Sequence, residues 1–320
     1  QREILFGDPD ITTQQVLPLA RTVAATMAGH EYADTLTATL AYHADVLEGN
    51  VHPDLITEQA TIEAITRIAA LTTHAEQNTW GLDVFKGLHQ WAYTSSIDDA
   101  LQPYTLYVPD TYDPSQSYGL IVALHGYTGT DYGMASQVVT SSARPDDFLV
   151  VAPYGRGDVG YLSVGEQDVL DVMGLIQSSF SIDPNRVYVM GSSMGGLGAW
   201  RMGLNFPDKF AAMAPFAGWT GTNYLENLRN LPTLIVHGDL DNSVPIGVAQ
   251  QAAATLKNLG YSVRFDVLAG GGHDALNVWT QETGAERIYE YFQQHQRNPW
   301  PDEVILTTSY VRYGYRYWVE

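Results

Sequence analysis

From Pro103 onward the chain alternates short apolar runs with segments of helical length, and this alternation restricts its fold more than any other feature. Residues 119–124, 148–153, 186–190, 210–215, 233–236 and 262–267 are runs with few or no interrupting charges, preceded by an alternating strand at 104–109. Near-continuous apolar runs are the mark of strands buried on both faces of a parallel sheet. Helical segments are expected between most of them, at 165–179, 194–204, 246–259 and 276–294. Parallel neighbours need crossover connections, so the pattern predicts an α/β class with a doubly wound, mostly parallel sheet. Ligands of such sheets bind beyond the carboxyl ends of the strands.

One strand end carries an informative turn. After the run at 186–190 stands Gly191-Ser192-Ser193-Met194-Gly195-Gly196, followed at once by a helix-forming segment. This is G-x-S-x-G between a buried strand and a helix, the context in which that spacing has meaning. A serine at so sharp a turn sits in a strained conformation, and residues two before and two after it must lack side chains if strand and helix are to approach. A serine hydroxyl also needs a base to take its proton and a carboxylate to orient that base. Asp239 and Asp241 follow the strand at 233–236, and His273 stands on the glycine loop after the strand at 262–267. Three side chains suited to acyl transfer therefore come from three loops on one sheet edge. Asp274 is too close in sequence to His273 to orient its ring and is read as a solvated or loop-capping residue.

The first 95 residues read as a small helical region. Val16, Leu19, Val23 and Met27, then Tyr32, Leu36, Leu40 and Leu47, then Ile62, Ile65, Ile68 and Leu71 recur at helical spacing. His30, His43, His52 and His74 lack the spacing of metal ligands and are expected to be packed or solvated. Residues 96–296 then form the catalytic domain. Residues 297–320 form a β tail, with a hairpin over 303–308 and 313–319 that is expected to open a further β module. Its aromatic residues are attributed to cross-strand packing.

With 16 Lys and Arg against 36 Asp and Glu, the formal charge is −20. Such a chain repels a phosphate backbone unless it carries a basic patch, and none is visible, so no nucleic-acid partner is expected. No run approaches the ~18 apolar residues of a membrane span. The absence of Cys excludes disulfides and thiolate nucleophiles, so a nucleophile must be a hydroxyl. Only Lys86, Lys209 and Lys257 are lysines, and the carboxylate-rich surface that results points to a secreted or periplasmic protein.

The segments 106–114, 120–126, 182–196 and 206–212 together resemble the α/β-hydrolase superfamily, and within it the polyhydroxybutyrate-depolymerase-like and feruloyl-esterase-like enzymes. That group shades into prolyl-oligopeptidase-type catalytic domains. The resemblance implies Ser193 as nucleophile and His273 as general base and acid. The spacing of His237-Gly238, Asp241 and Val244-Pro245 selects Asp241 as the orienting acid. It further implies an oxyanion hole from the backbone N–H groups of Met194 and Tyr127, and no cofactor or metal. His125 is read as shaping the loop that carries Tyr127. Tyr127, Tyr161 and Trp219 are candidate substrate-binding walls, and Glu166 and Asp168 candidate caps of the helix at 165–179. Only about 17 residues separate Pro215 from Thr233, where many lipases insert a lid, so an open cleft for polymer-linked, aryl or short-chain esters is expected. Two other functions are weighed: a serine peptidase of the prolyl-oligopeptidase type, and a non-enzymatic binding module on a hydrolase fold.

Overall fold

The computed structural model describes residues 9–27, 29–77, 79, 81–139, 146–284 and 286–319, and divides at Val108/Pro109 into two compact units. In the first unit, helices α1 (Pro9–Thr26), α2 (Ala33–Glu48) and α3 (Glu58–Gln77) are followed by strands β1 (Gly87–Thr94) and β2 (Leu101–Val108). The helical stripes face inward, with Val16, Val23, Met27, Leu36, Leu40, Ile65, Ile68 and Leu71 buried, whereas Leu19 and Ile62 are exposed. Gly49, at φ 74°, ends α2 in the left-handed conformation that glycine tolerates best. The region is not purely helical, because β1 pairs antiparallel with β2 from Gly87↔Val108 to Thr94↔Leu101. That pairing carries β2 with the helices and places the division later than the expected 95/96 boundary.

This unit buries polar groups. Arg67 donates from Nη2 to Val84 O at 2.8 Å and stacks 3.9 Å from the Trp91 ring centre. Burial lowers its guanidinium to about 9. His43 is fully buried 3.2 Å from Gln90 O, and burial lowers its imidazole from 6.5 to about 4. A folded-state value below the unfolded one means that the unfolded chain binds the proton first on acidification. The stabilisation associated with neutral His43 is therefore complete above pH 6.5 and drains away as pH falls toward 4, by about 3 kcal/mol. Chemical unfolding of wild type and His43→Gln between pH 7 and pH 4 should show the wild type losing its advantage across that window. A constant difference between the two would refute the assignment.

The second unit holds the parallel strands β3 (Tyr118–Leu124), β4 (Phe148–Pro153), β5 (Ile182–Ser192), β6 (Ala212–Phe216), β7 (Thr233–Gly238) and β8 (Val263–Leu268). Their spatial order is β4-β3-β5-β6-β7-β8. All residues of β3, β4, β6 and β7 are buried, as their apolar runs require. The helices are α4 (Asp131–Val139), α5 (Val164–Ser179), α6 (Met194–Asn205), α7 (Gly247–Asn258), α8 (Ala275–Thr283) and α9 (Glu286–Gln293). The chain leaves β3 for β4 on one side and returns to β5 on the other. The carboxyl ends of β3 and β5, paired at Leu124↔Gly191, thus flank a topological switch point.

Three expectations are corrected here. The single helix expected at 276–294 is two, separated at Gly284, whose φ of 88° stops α8. In the tail, the expected hairpin is replaced by a short 3-10 turn at Val311–Tyr313 and an isolated bridge between Arg316 and Val319. Its aromatic residues therefore do not pack across strands. Glu166 and Asp168 are not helix caps. The Glu166 carboxylate is buried and pairs with Arg312, accepting also from Asn205 Nδ2 at 2.7 Å and Tyr313 Oη at 3.0 Å. It thereby anchors the tail. Asp168, equally buried, accepts from Gly155 N at 2.8 Å.

Candidate active site

Ser193 sits between β5 and α6 with φ 57° and ψ −117°, a left-handed conformation strained for a side-chain-bearing residue. The surrounding glycines hold it there. A Cβ on Gly191 would strike the Gly195 carbonyl, and one on Gly195 would strike the Leu124 carbonyl. Gly196 packs on Gly218, where a Cβ would come within 2.8 Å of the Gly218 Cα. Ser193 N donates to Phe216 O at 2.9 Å, which ties the turn to the end of β6.

The hydroxyl raised by this turn meets an imidazole. Ser193 Oγ lies 2.7 Å from His273 Nε2, and His273 Nδ1 lies 2.8 Å from Asp241 Oδ2. The Asp241 side chain is fully buried, whereas that of His273 is 33% exposed and so reachable by a substrate. Burial pushes the Asp241 carboxyl up, but the N–H of Val244, the His273 ring and the N–H of Ser243 more than offset it and hold it below the usual carboxylate range. With a carboxylate facing Nδ1, that nitrogen carries the hydrogen and Nε2 is left to accept the serine proton. The chain segments supplying this set are laced together. Asp239 N donates to Leu268 O at 3.1 Å and Leu240 N to Gly271 O at 2.9 Å, while Asp239 Oδ1 accepts from Gly270 N at 2.7 Å. Of the two acids open to sequence reasoning, one faces the imidazole and the other ties down the loop that carries it. Asp274 is exposed and makes no capping hydrogen bond ahead of α8.

Met194 opens α6, so its N–H is one of the first-turn donors without an intrahelical acceptor. Tyr127 follows Gly126, and a methyl on Gly126 would stand 3.5 Å from Ser193 Cβ. The backbone after β3 therefore runs beside Ser193. His125 shapes this loop: its Nε2 lies 2.8 Å from Tyr154 O and its Nδ1 2.8 Å from Gly126 O.

Of the three aromatic residues expected to line the cleft, Tyr127 and Trp219 are exposed, at 68% and 38%. Tyr161 is fully buried and cannot be a wall of an open cleft. Its ring fills the space left by Gly155 and Gly198, and its hydroxyl donates to His125 O at 3.0 Å. It buttresses the Tyr127 loop from beneath, a role that depends on a contact 36 residues away in sequence. Tyr161→Phe removes one buried hydrogen bond and should lower kcat about tenfold with little change in KM. Unchanged kcat for a soluble ester would show that the loop holds without it.

Parallel sheet, strained serine turn, imidazole and buried carboxylate together define an α/β hydrolase by fold. Comparison with known proteins agrees: residues 216–298, which include Asp241 and His273, match the model of the prolyl oligopeptidase family. The chain is 31% identical to the poly(3-hydroxyalkanoate) depolymerase C of Paucimonas lemoignei, over 31% of the chain and 27% of that protein. It is 32% identical to the cutinase est1 of Thermobifida alba, over 44% of the chain and 48% of that protein. It thus spans about a quarter to a half of these relatives. Among solved structures, a thermostable esterase superposes with a TM-score of 0.58 at 23% identity, over 66% of this chain and 63% of that one.

Proposed function

We propose that this chain is a secreted or periplasmic serine carboxylesterase that hydrolyses polymer-linked, aryl or short-chain esters through an acyl-enzyme. The observation that carries this reading is the Ser193 Oγ, His273 Nε2 and His273 Nδ1, Asp241 Oδ2 contacts at 2.7 and 2.8 Å. Ser193 Oγ attacks the ester carbonyl carbon while its proton passes to His273 Nε2, and Asp241 stabilises the imidazolium that forms. The developing oxyanion accepts from the N–H groups of Met194 and Tyr127. Collapse breaks the bond to the alcohol oxygen, which leaves with the proton from His273. Water then attacks the acyl-serine, giving a proton to His273, and the second collapse releases the acid and returns the proton to Ser193.

Exposed apolar side chains in the loops of this sheet edge support the substrate class. Tyr127, Leu162, Trp219 and Leu240 are exposed, and they stand in the segments after β3, β4, β6 and β7, on the sheet edge that carries Ser193. Among the described residues no helix is long and apolar enough to cross a membrane. The two relatives named above are a poly(3-hydroxyalkanoate) depolymerase and a cutinase, in keeping with that assignment. The family match over 216–298 favours a peptidase as second reading. Hydrolysis of p-nitrophenyl butyrate, feruloyl and acetyl-xylan esters and a polyester film, set beside dipeptidyl p-nitroanilides, decides between them. Faster cleavage of the anilides than of any ester would overturn the esterase reading.

A further inference from the structure

We infer that the second unit carries a binding site for an acidic sugar, a ring with several hydroxyls and one carboxylate, in a cavity between α5, α6 and the tail. This goes beyond the esterase reading of Ser193 and does not depend on it.

Glu166 of α5, Arg201 and Asn205 of α6, Asn227 from the connection between β6 and β7, and tail residues 307–310 surround a space of about 230 Å³. Ser193, Asp241 and His273 are not among its walls. Pockets for drug-sized ligands begin at about 300 Å³, so this one has the size for a single ring. Its walls are amide, hydroxyl and guanidinium groups interleaved with tyrosine rings, and leucine enters only as Leu162 and Leu204. Such a lining suits a ring with a hydroxyl at most of its corners better than a hydrocarbon chain. The tail aromatics that do not pack across strands gain a role here: Tyr310, 66% exposed, stands on the cavity wall, where it can cover the apolar face of a sugar.

Charge selects the acid. Arg316 borders the cavity and is 3% exposed, and its Nη1 donates to Tyr315 O at 2.5 Å. Its Nε stands 3.9 Å from Asp208 Oδ1, too far for a hydrogen bond, and neither Nε nor Nη2 has an acceptor among the described residues. These two N–H groups lie on one edge of the guanidinium, parallel and spaced for the two oxygens of a carboxylate. With the same edge Arg264 holds Asp266, at 2.9 and 2.6 Å. The second guanidinium on the wall, Arg201, donates to Gly160 O. Asp208 offsets the charge of Arg316 from a distance and Glu166 is taken by Arg312, so Arg201 is left without a carboxylate of its own. Burial pushes both Arg201 and Arg316 below the usual guanidinium range, since each charge has lost water. One carboxylate brought into the cavity by a ligand restores that balance and fills the open edge of Arg316.

The test titrates D-glucuronate into the full chain by calorimetry, with D-glucose as the ring without the charge and acetate as the charge without the ring. One glucuronate per chain is expected, with each control weaker by about tenfold or more. Arg316→Gln should weaken glucuronate by about tenfold or more, and Asp208→Asn, which removes the competing carboxylate, should tighten it. Should R316Q not fold, Arg201→Gln takes its place, with kcat on p-nitrophenyl butyrate within about twofold of wild type as the check of folding. A xylo-oligosaccharide carrying glucuronate that binds more tightly than the free sugar would identify a polysaccharide side group as the ligand, and equal affinity the free sugar; either supports the site. Acetate or glucose binding as tightly as glucuronate overturns the proposal, as does the absence of saturable binding. An affinity in R316Q equal to that of wild type also overturns it, because Arg316 then serves only Asp208 and the tail. Ser193→Ala should bind glucuronate as the wild type does, so failure of the esterase reading would leave this test standing.

Discussion

Ser193→Ala is expected to lower kcat/KM for p-nitrophenyl butyrate by about 10⁴-fold or more while leaving the fold intact. The size follows from the geometry. The hydroxyl is the group placed 2.7 Å from His273 Nε2, on a turn whose strain is imposed by Gly191 and Gly195 rather than by the serine side chain. Removing Oγ takes away the covalent route without altering what packs the turn. The strain at φ 57° is kept, so the unfolding temperature should move little. Fluorophosphonate labelling should vanish in the same variant. Activity within tenfold of wild type would exclude Ser193 as the nucleophile.

The second large effect separates two neighbouring acids. Asp241→Asn should lower kcat by about 10³- to 10⁴-fold, whereas Asp239→Asn should stay within about threefold. Ser243 N and Val244 N both donate to Asp241 Oδ1, so an asparagine there must turn its carbonyl oxygen to them. Its NH₂ then faces His273 Nδ1 and forces that nitrogen to accept. The imidazole hydrogen moves to Nε2, and the ring can no longer take the proton of Ser193. At Asp239 the side chain accepts the N–H of Gly270, which an asparagine oxygen also does. Stopped-flow acylation of the two variants gives the comparison, and the reverse order of effects would reassign the acid.

How far each feature was legible depends on the range of the contacts that create it. The serine turn is local: glycines two residues either side, a buried run before and a helix after state the backbone conformation within a dozen residues. Strand identity in the second unit is legible for the same reason, since burial on both faces leaves a continuous apolar run. The helix α4 left a weaker trace, because Gly133, Ser136 and the terminal Val138 and Val139 are poor helix formers, and its start is held by Thr130 Oγ accepting from Gly133 N at 3.0 Å. The strand β1 escaped because it lies within a region dominated by helical spacing and takes its definition from β2 across a turn. Tyr161 was misplaced for a related reason. An aromatic residue on a loop between glycines has the same local pattern whether it faces solvent or fills the space beneath the next helix.

The chain alone states the class of its sheet, the hydroxyl nature of its nucleophile and the loops from which the partners come, because these follow from neighbours in sequence and from the absence of cysteine. The tertiary structure brings the Asp241 carboxylate to His273, sets Tyr161 beneath the Tyr127 loop and holds the tail through Glu166 and Arg312. Each of these is a hydrogen-bond direction between segments up to 146 residues apart. Side-chain chemistry sets what such groups can do, but only the folded backbone brings donor and acceptor to within about 3 Å and removes the water that would otherwise satisfy them.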